Sequence, residues 1–224
     1  MRRFAISDIH GCARTFGKLL DKIGLKKEDQ LYLLGDFIDR GPDSKGVFDR
    51  ILQIRELGYR VDCLLGNHEE MMLNALNGGR EREHLWWMNG GMETLNSFEV
   101  NSLGEVPEVY LDFIASMSHF IALDDYILVH AGLNFKASDP LEDIEPMLWI
   151  RDWYRNIDRQ WLGEKIVVHG HTPIPETRVR QQLKNVERVP AVDIDNGCVY
   201  DRPGHHRLCA LNLDNREVVF QKNI

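Results

Sequence analysis

Five times in this chain a short apolar run ends in a cluster holding Asp, His or Asn beside a glycine, and that recurrence limits what the chain can fold into. Arg3-Phe4-Ala5-Ile6 leads into Ser7-Asp8-Ile9-His10-Gly11, and Leu31-Tyr32-Leu33-Leu34 into Gly35-Asp36-Phe37-Ile38-Asp39-Arg40-Gly41. Residues 60–65 lead into Gly66-Asn67-His68-Glu69, residues 126–129 into His130-Ala131-Gly132, and Ile166-Val167-Val168 into His169-Gly170-His171-Thr172. The runs suit buried strands, and the glycines permit sharp turns out of them. Loops at the carboxyl ends of strands in an open α/β sheet converge without disturbing the core, so five clusters imply one site.

Between the clusters the spacing turns helical. Phe16, Leu19, Leu20 and Ile23 fall at i, i+3, i+4 and i+7, which predicts an amphipathic helix over 15–23 closed by Gly24. Pro42, Asp43 and Ser44 read as the cap of a helix to about Leu57, and another helix follows Glu69 through Met71, Met72 and Leu76. Three β-loop-α units therefore come first. The pattern loosens over 78–91, where Trp86-Trp87 and Gly90-Gly91 mark an irregular segment before 92–98, with an all-helical excursion near the site as the other reading. Residues 109–117 are expected to be helical, 119–123 and 126–129 to form a hairpin turned by Asp124-Asp125, and 191–195, 207–213 and 218–222 to form antiparallel strands.

Composition narrows the class. With 224 residues, 43% of them hydrophobic, and no Pro/Gly/Ser-rich linker, a single domain over 1–224 is the economical reading. A formal net charge of −8 repels polyanions, which argues against nucleic acid as a partner. Cys12, Cys63, Cys198 and Cys209 lie far apart with no C-x-x-C, so neither a zinc ribbon nor a redox pair is expected, and reduced thiols fit a cytoplasmic location. The first motif begins at residue 7, leaving no room for a signal peptide, and no apolar run reaches membrane-spanning length. No membrane partner is expected.

The donors in the clusters are Asp, Asn and His without a thiolate, a set suited to Mn²⁺, Fe or Zn²⁺ in five- or six-coordinate geometry. They are too many for one ion that keeps an open position. Two ions sharing a carboxylate satisfy the count, and such pairs sit roughly 3.5–4 Å apart to clamp an in-line displacement at phosphorus. Taken singly, a strand-end aspartate is a turn former, Arg40 and Arg151 are surface cations, and His130 is a satisfied polar residue. Their joint occurrence in order is what points to metal.

The set D-x-H-G, G-D-x-x-D-R-G, G-N-H-E, H-A-G and G-H-T resembles the calcineurin-like metallophosphoesterases, and within them the PPP-family phosphoprotein phosphatases of the short bacterial and phage type. The resemblance runs from residue 7 to about 172, and more loosely through 191–213. It implies an α/β fold, a four-layer sandwich of two mixed β-sheets flanked by helices. It places Asp8 and His10 on a first metal, Asp36 between the two, and Asn67, His130 and His171 on the second, with Mn²⁺ the leading choice. His68 becomes the general acid, oriented by Asp39 and kept as an imidazolium by that carboxylate. Arg40, Arg151 and Asn67 bind the substrate phosphate.

The implied activity is a serine/threonine phosphoprotein phosphatase that hydrolyses phosphomonoesters by direct in-line attack of a hydroxide bridging the metals, with a phosphoprotein or phosphopeptide substrate and no obligatory regulatory subunit. A symmetrical dinucleoside tetraphosphate hydrolase resembles the same motifs, and a non-catalytic metal- or phosphate-binding module is the reading from a different class. His169 and the five tryptophans are expected to serve packing, and Cys12 to be an inert buried thiol.

Overall fold

The computed structural model describes residues 1–224. In chain order the elements are β1 (Arg3–Ile6), α1 (Ala13–Ile23), β2 (Gln30–Leu33), α2 (Ser44–Glu56), β3 (Arg60–Cys63), α3 (Asn67–Trp86), α4 (Met92–Phe98), α5 (Glu108–Ala115), β4 (Phe120–Ala122), β5 (Tyr126–Val129), α6 (Ile144–Trp149), α7 (Arg159–Leu162), β6 (Ile166–His169), α8 (Glu176–Lys184), β7 (Ala191–Asp193), β8 (Arg207–Asn212) and β9 (Val218–Lys222). They form a five-stranded sheet in the order β3-β2-β1-β8-β9 and a four-stranded sheet in the order β4-β5-β6-β7. The inner strands run parallel, with Phe4 opposite Leu31, Leu31 opposite Val61, and Leu128 opposite Val168. Strands β4, β8 and β9 pair antiparallel.

Alternation along the strands decides the layers. Ala5, Tyr32, Leu34 and Leu211 from the first sheet meet Tyr126, Leu128, Val168 and Val192 from the second in a shared core. Their neighbours Phe4, Ile6, Leu31 and Leu33 turn the other way, onto Phe16 and Leu19 of α1 and Val47, Phe48 and Ile51 of α2. On the far side Ile127, Val129 and Val167 pack against Met147 of α6 and Leu162 of α7. The result is helix, sheet, sheet, helix, the calcineurin-like α/β arrangement. Parallel strands with helical crossovers place every strand-end cluster at the same edge.

One expectation fails for a physical reason. Strand β7 pairs parallel, not antiparallel, with β6, Val168 standing opposite Val192. A parallel return needs a crossover, and α8 supplies it; only Val179 of that helix is buried, so its sequence carries no apolar stripe to reveal it. Of the two readings of 78–91, the helical excursion is the one observed. Left-handed Gly79 (φ 73°) interrupts α3, and Gly90 (φ 107°) sits in a π-helical turn over Trp87–Gly91 that leads directly into α4. No helix is long and apolar enough to cross a membrane.

Candidate metal centre

The candidate ligands leave the carboxyl ends of β1, β2, β3, β5 and β6, those after β1, β2 and β6 in conformations that side chains seldom take. Asp8 (φ 50°), His10 (44°), Asp36 (54°), Asp39 (69°), Arg40 (68°) and His171 (71°) make up six of the ten non-glycine residues with positive φ. Such conformations cost on the order of 1–3 kcal/mol each and persist only where the surroundings over-determine them. Here the loops clamp one another. The His10 amide donates to Asp36 O, the Gly11 amide to Phe37 O and the Gly170 amide to His130 O, each at 2.8 Å. Buried Glu69, in the first turn of α3, accepts four backbone amides: Phe37 (2.8 Å) and Ile38 (3.3 Å) on Oε1, Asp36 (2.9 Å) and Gly66 (3.0 Å) on Oε2. A Cβ on Gly66 would strike the Asp36 amide and carboxylate, and one on Gly170 the Asp8 carboxylate, so only glycine fits at either place.

Asp8, His10, Asp36, Asn67, His68, His130 and His171 are all buried around one point. His10, Asp36 and His68 lie within reach of one ion, and Asp36, His130 and His171 within reach of a second, so Asp36 is common to both groups. Asp8 stands outside the first group, its carboxylate accepting the His171 amide at 3.1 Å. Asn67 Oδ1 lies 2.9 Å from both His130 Nε2 and His171 Nδ1.

Backbone partners fix two tautomers. A carbonyl only accepts, so His10 Nδ1 donates to Ile38 O at 2.8 Å and His130 Nδ1 to Leu34 O at 2.8 Å. Each Nε2 therefore carries a lone pair. His130 Nε2 faces Asp36 Oδ1 at 3.5 Å as well as Asn67 Oδ1, and His10 Nε2 faces Asp36 Oδ2 at 3.5 Å, acceptor against acceptor. Only Arg40, whose Nη1 donates to His10 Nε2 at 2.8 Å, relieves the crowding. His171 Nε2 is buried with no hydrogen-bond partner. Converging acceptors call for a cation, and a histidine whose other nitrogen is tied to a carbonyl is the usual metal-binding form. The donor set fits divalent metal.

Beside this cluster, His68 Nδ1 donates to Asp39 Oδ2 at 2.7 Å while its Nε2 points inward, 4.0 Å from Asp36 Oδ2. Asp39 also accepts from Trp86 Nε1 at 3.0 Å and Thr94 Oγ1 at 2.6 Å. These donors favour the ionised form, but burial outweighs them and pushes the Asp39 carboxyl well above the ordinary carboxylate range. Arg40 is exposed at the mouth of the cluster, and exposed Arg151 on the opposite rim donates from Nη1 to Thr172 Oγ1 at 2.9 Å.

Residues 1–200 match the family model of the calcineurin-like phosphoesterases. The chain belongs to that family. This calcineurin-like phosphoesterase is 35% identical over 174 residues to the symmetrical bis(5'-nucleosyl)-tetraphosphatase of Nitrosomonas europaea, covering 72% of the chain and 60% of that protein. It is 25% identical over 250 residues to the asymmetrical bis(5'-nucleosyl)-tetraphosphatase PrpE of Oceanobacillus iheyensis, covering 96% and 89% respectively. It thus spans 60% of the length of the first of these relatives. A serine/threonine protein phosphatase from Saccharomyces cerevisiae is similar in structure, with a TM-score of 0.63 at 14% identity over 100% of this chain and 80% of that one. The likeness to a protein phosphatase is one of fold, whereas the likeness to tetraphosphatases extends to sequence.

In this phosphoesterase, burial pushes the Asp36 carboxyl well above the ordinary range, and the charges of Asp8 and Glu69 push it further. Asp8 rises for the same first reason. Burial also drives His10 down to about 3, His171 to about 2, and His130 below its ordinary value. Neutral imidazole is the ligating form, and a cation among the carboxylates would reverse their shift. His68 is pushed well below its ordinary value by burial and by His10 and Arg40. That direction opposes the expected standing imidazolium: Asp39, itself pushed up by burial, does not offset the burial of His68.

Three residues that build the site were not assigned a role from sequence. Glu69 sits three residues after Gly66, the capping-box spacing, and that spacing was its available signal. Trp86 and Thr94 fall in or just beyond the stretch expected to be irregular, and only a buried indole's need for an acceptor could have pointed to Trp86. His169 lies outside both metal groups, its Nε2 bonded to the Tyr154 hydroxyl at 2.6 Å. Cys12 is a buried free thiol.

Proposed function

We propose that this chain is a metal-dependent hydrolase of dinucleoside tetraphosphates that splits the substrate symmetrically. The observation that carries this reading is the 35% identity over 174 residues to a symmetrical tetraphosphatase, supported by the similarity of 96% of the chain to an asymmetrical one. Asp8, His10 and Asp36 would hold one ion, and Asp36, Asn67, His130 and His171 the other, with Mn²⁺ preferred and Fe or Zn²⁺ suited to the same donors. Bound there, divalent ions supply positive charge for the phosphate oxygens and acidify water. Arg40 and Arg151 offer paired donors that match two phosphate oxygens. Asn67 adds its amide beside them. Negative charge on a bound phosphate raises His68 towards its protonated form, so that Nε2 can give a proton to a leaving oxygen that needs one. Asp39 orients that ring through Nδ1, and Glu69 holds the loops that carry Asp36 and Gly66. No regulatory subunit is needed for these roles.

The His68–Asp39 pair favours a second reading, a phosphoserine or phosphothreonine phosphatase. An alkoxide needs a proton to depart, whereas a phosphate leaving group, with a second ionisation near pKa ~6, leaves as an anion. The test is to compare nucleotide release from diadenosine tetraphosphate with phosphate release from a phosphoserine peptide, both under Mn²⁺. The proposal predicts ADP as product and the higher kcat/KM for the tetraphosphate. A preference for the peptide overturns it, ATP plus AMP would move the cleavage to an outer bond, and no turnover of either with metal bound would leave a non-catalytic module.

A further inference from the structure

Next to the metal cluster lies a half-open cleft of about 740 Å³, and of its lining the roles above use Arg151 alone. Its floor is continuous with the site: Ala131 and Thr172, which line it, follow the candidate ligands His130 and His171 directly in sequence. Three arginines face it, Arg151, Arg155 and Arg178, in a chain whose formal net charge is −8. None of the three is in a salt bridge. Arg151 bonds to Thr172 and Arg178 to Gln181 at 3.2 Å, both neutral partners. Opposing acidic groups are exposed Asp152 and buried Asp193, the latter with one oxygen committed to the Asp195 amide.

The rest of the wall mixes polar groups with an aromatic and aliphatic patch. The Tyr154 hydroxyl is held by His169 Nε2 at 2.6 Å and Gln182 Nε2 at 3.2 Å, and Gln182 Oε1 accepts the Asp193 amide at 2.9 Å, so the phenol ring is fixed in place. Ile150 and Ile174 complete an apolar lining beside it. Unpaired guanidiniums next to fixed aromatic and aliphatic surface suit a ligand that is polyanionic at one end and flat and apolar at the other. The volume falls within the range of small-molecule sites, roughly 300–1,000 Å³. A second recess, of about 490 Å³ beside Arg40, is lined by one cation and by Glu93, and it suits polyanion less well.

We propose that this cleft binds one nucleotide arm of the substrate, with Arg155 and Arg178 gripping phosphates beyond the scissile one and the Tyr154 face receiving the base. The inference rests on the tetraphosphate reading and deepens it, because a phosphoserine has no further phosphates for Arg155 and Arg178 to meet.

Arg155→Ala, Arg178→Ala and the double variant test it in the metal-loaded full chain, with folding checked by thermal melting. The measured quantity is kcat/KM for diadenosine tetraphosphate divided by kcat/KM for p-nitrophenyl phosphate. Loss of one charged phosphate contact corresponds to roughly tenfold or more, so each single variant should lower this ratio about tenfold, mainly through KM, and the double variant further. A ratio that stays constant overturns the proposal. ADP inhibition of p-nitrophenyl phosphate hydrolysis is the independent readout: its inhibition constant should rise about tenfold in each variant, on the same accounting. If the wild type does not cleave the tetraphosphate yet ADP inhibition depends on these arginines, the functional reading fails and the cleft stands. ADP inhibition indifferent to both arginines overturns the cleft whatever the wild type cleaves.

Discussion

In the loops around Asp36 the groups that hold the backbone are committed: Glu69 takes four amides, Asp39 three donors, and left-handed residues are pinned by backbone bonds from the neighbouring loop. Across Thr172 the arginine-lined cleft is built the other way, with exposed guanidiniums that hold one neutral partner or none. The difference separates two tasks. A centre that holds metal must hold its donors in one arrangement, whereas a surface that selects among phosphate esters keeps its bonding capacity free until the ligand arrives. On the proposed reading the loops set the chemistry and the cleft sets the substrate.

Substitutions can break that comparison at several depths. The largest effect is expected from Asp36→Asn, which removes the carboxylate common to both metal groups. Bound metal should be lost, and because the Lewis-acid contribution is worth several kcal/mol, turnover should fall by at least about 10³-fold on any phosphate ester. Metal analysis of the purified variant and phosphate release check this together. An Asp36→Asn protein that keeps two ions would show the donor set has been misjudged.

His68→Asn sharpens the comparison, since it touches the loops but should discriminate between substrates. Loss of a general acid lowers kcat by roughly 10²–10⁴ where the leaving oxygen needs a proton, as in a phosphoserine peptide. The effect on diadenosine tetraphosphate should be much smaller, with metal content intact in both cases. Loss of an ion in this variant would instead make His68 a ligand, the alternative its position near His10 and Asp36 allows.

Glu69→Gln probes the rigidity of the loops without touching metal or substrate. A neutral amide cannot accept all four backbone N–H groups; burial pushes the Glu69 carboxyl up to about 7, so above about pH 8, where it is charged and its bonds are worth about 1.5–3 kcal/mol each, a net loss of about 2–3 kcal/mol in urea unfolding is expected. The smallest effect belongs to a control at the amino ends of the strands. Asp29, bonded to Arg2 Nη2 at 2.6 Å, is held down to about 2 by Arg2 and the amides of Arg2 and Lys26, which outweigh burial. Its folded value lies below the ordinary 3.8, so its stabilisation is present above about pH 4 and is lost as pH falls through about 2. Asp29→Asn should therefore cost about 1 kcal/mol at pH 7 and little near pH 2, with activity unchanged.

The same contrast explains what could be read from the chain. Clusters such as Gly35-Asp36 and Gly66-Asn67-His68 were legible because a tight turn and a ligating side chain must occur together, so geometry and chemistry leave one pattern. The strand runs were legible by alternation and apolarity. Helix α8 was not, because Val179 is its sole buried residue, and β7 was assigned the wrong direction as a consequence. Trp86 and Thr94 escaped because their contacts to Asp39 span 47 and 55 residues. Arg155 and Arg178 lie in no motif; only folding brings them to one opening.

The central claim is that Asp36 is shared by two ions, and anomalous diffraction at the manganese edge from crystals grown with excess Mn²⁺ tests it most directly. Two peaks roughly 3.5–4 Å apart, one on either side of the Asp36 carboxylate, are the predicted result. One peak at full occupancy, or two that leave Asp36 without a metal contact, would contradict it.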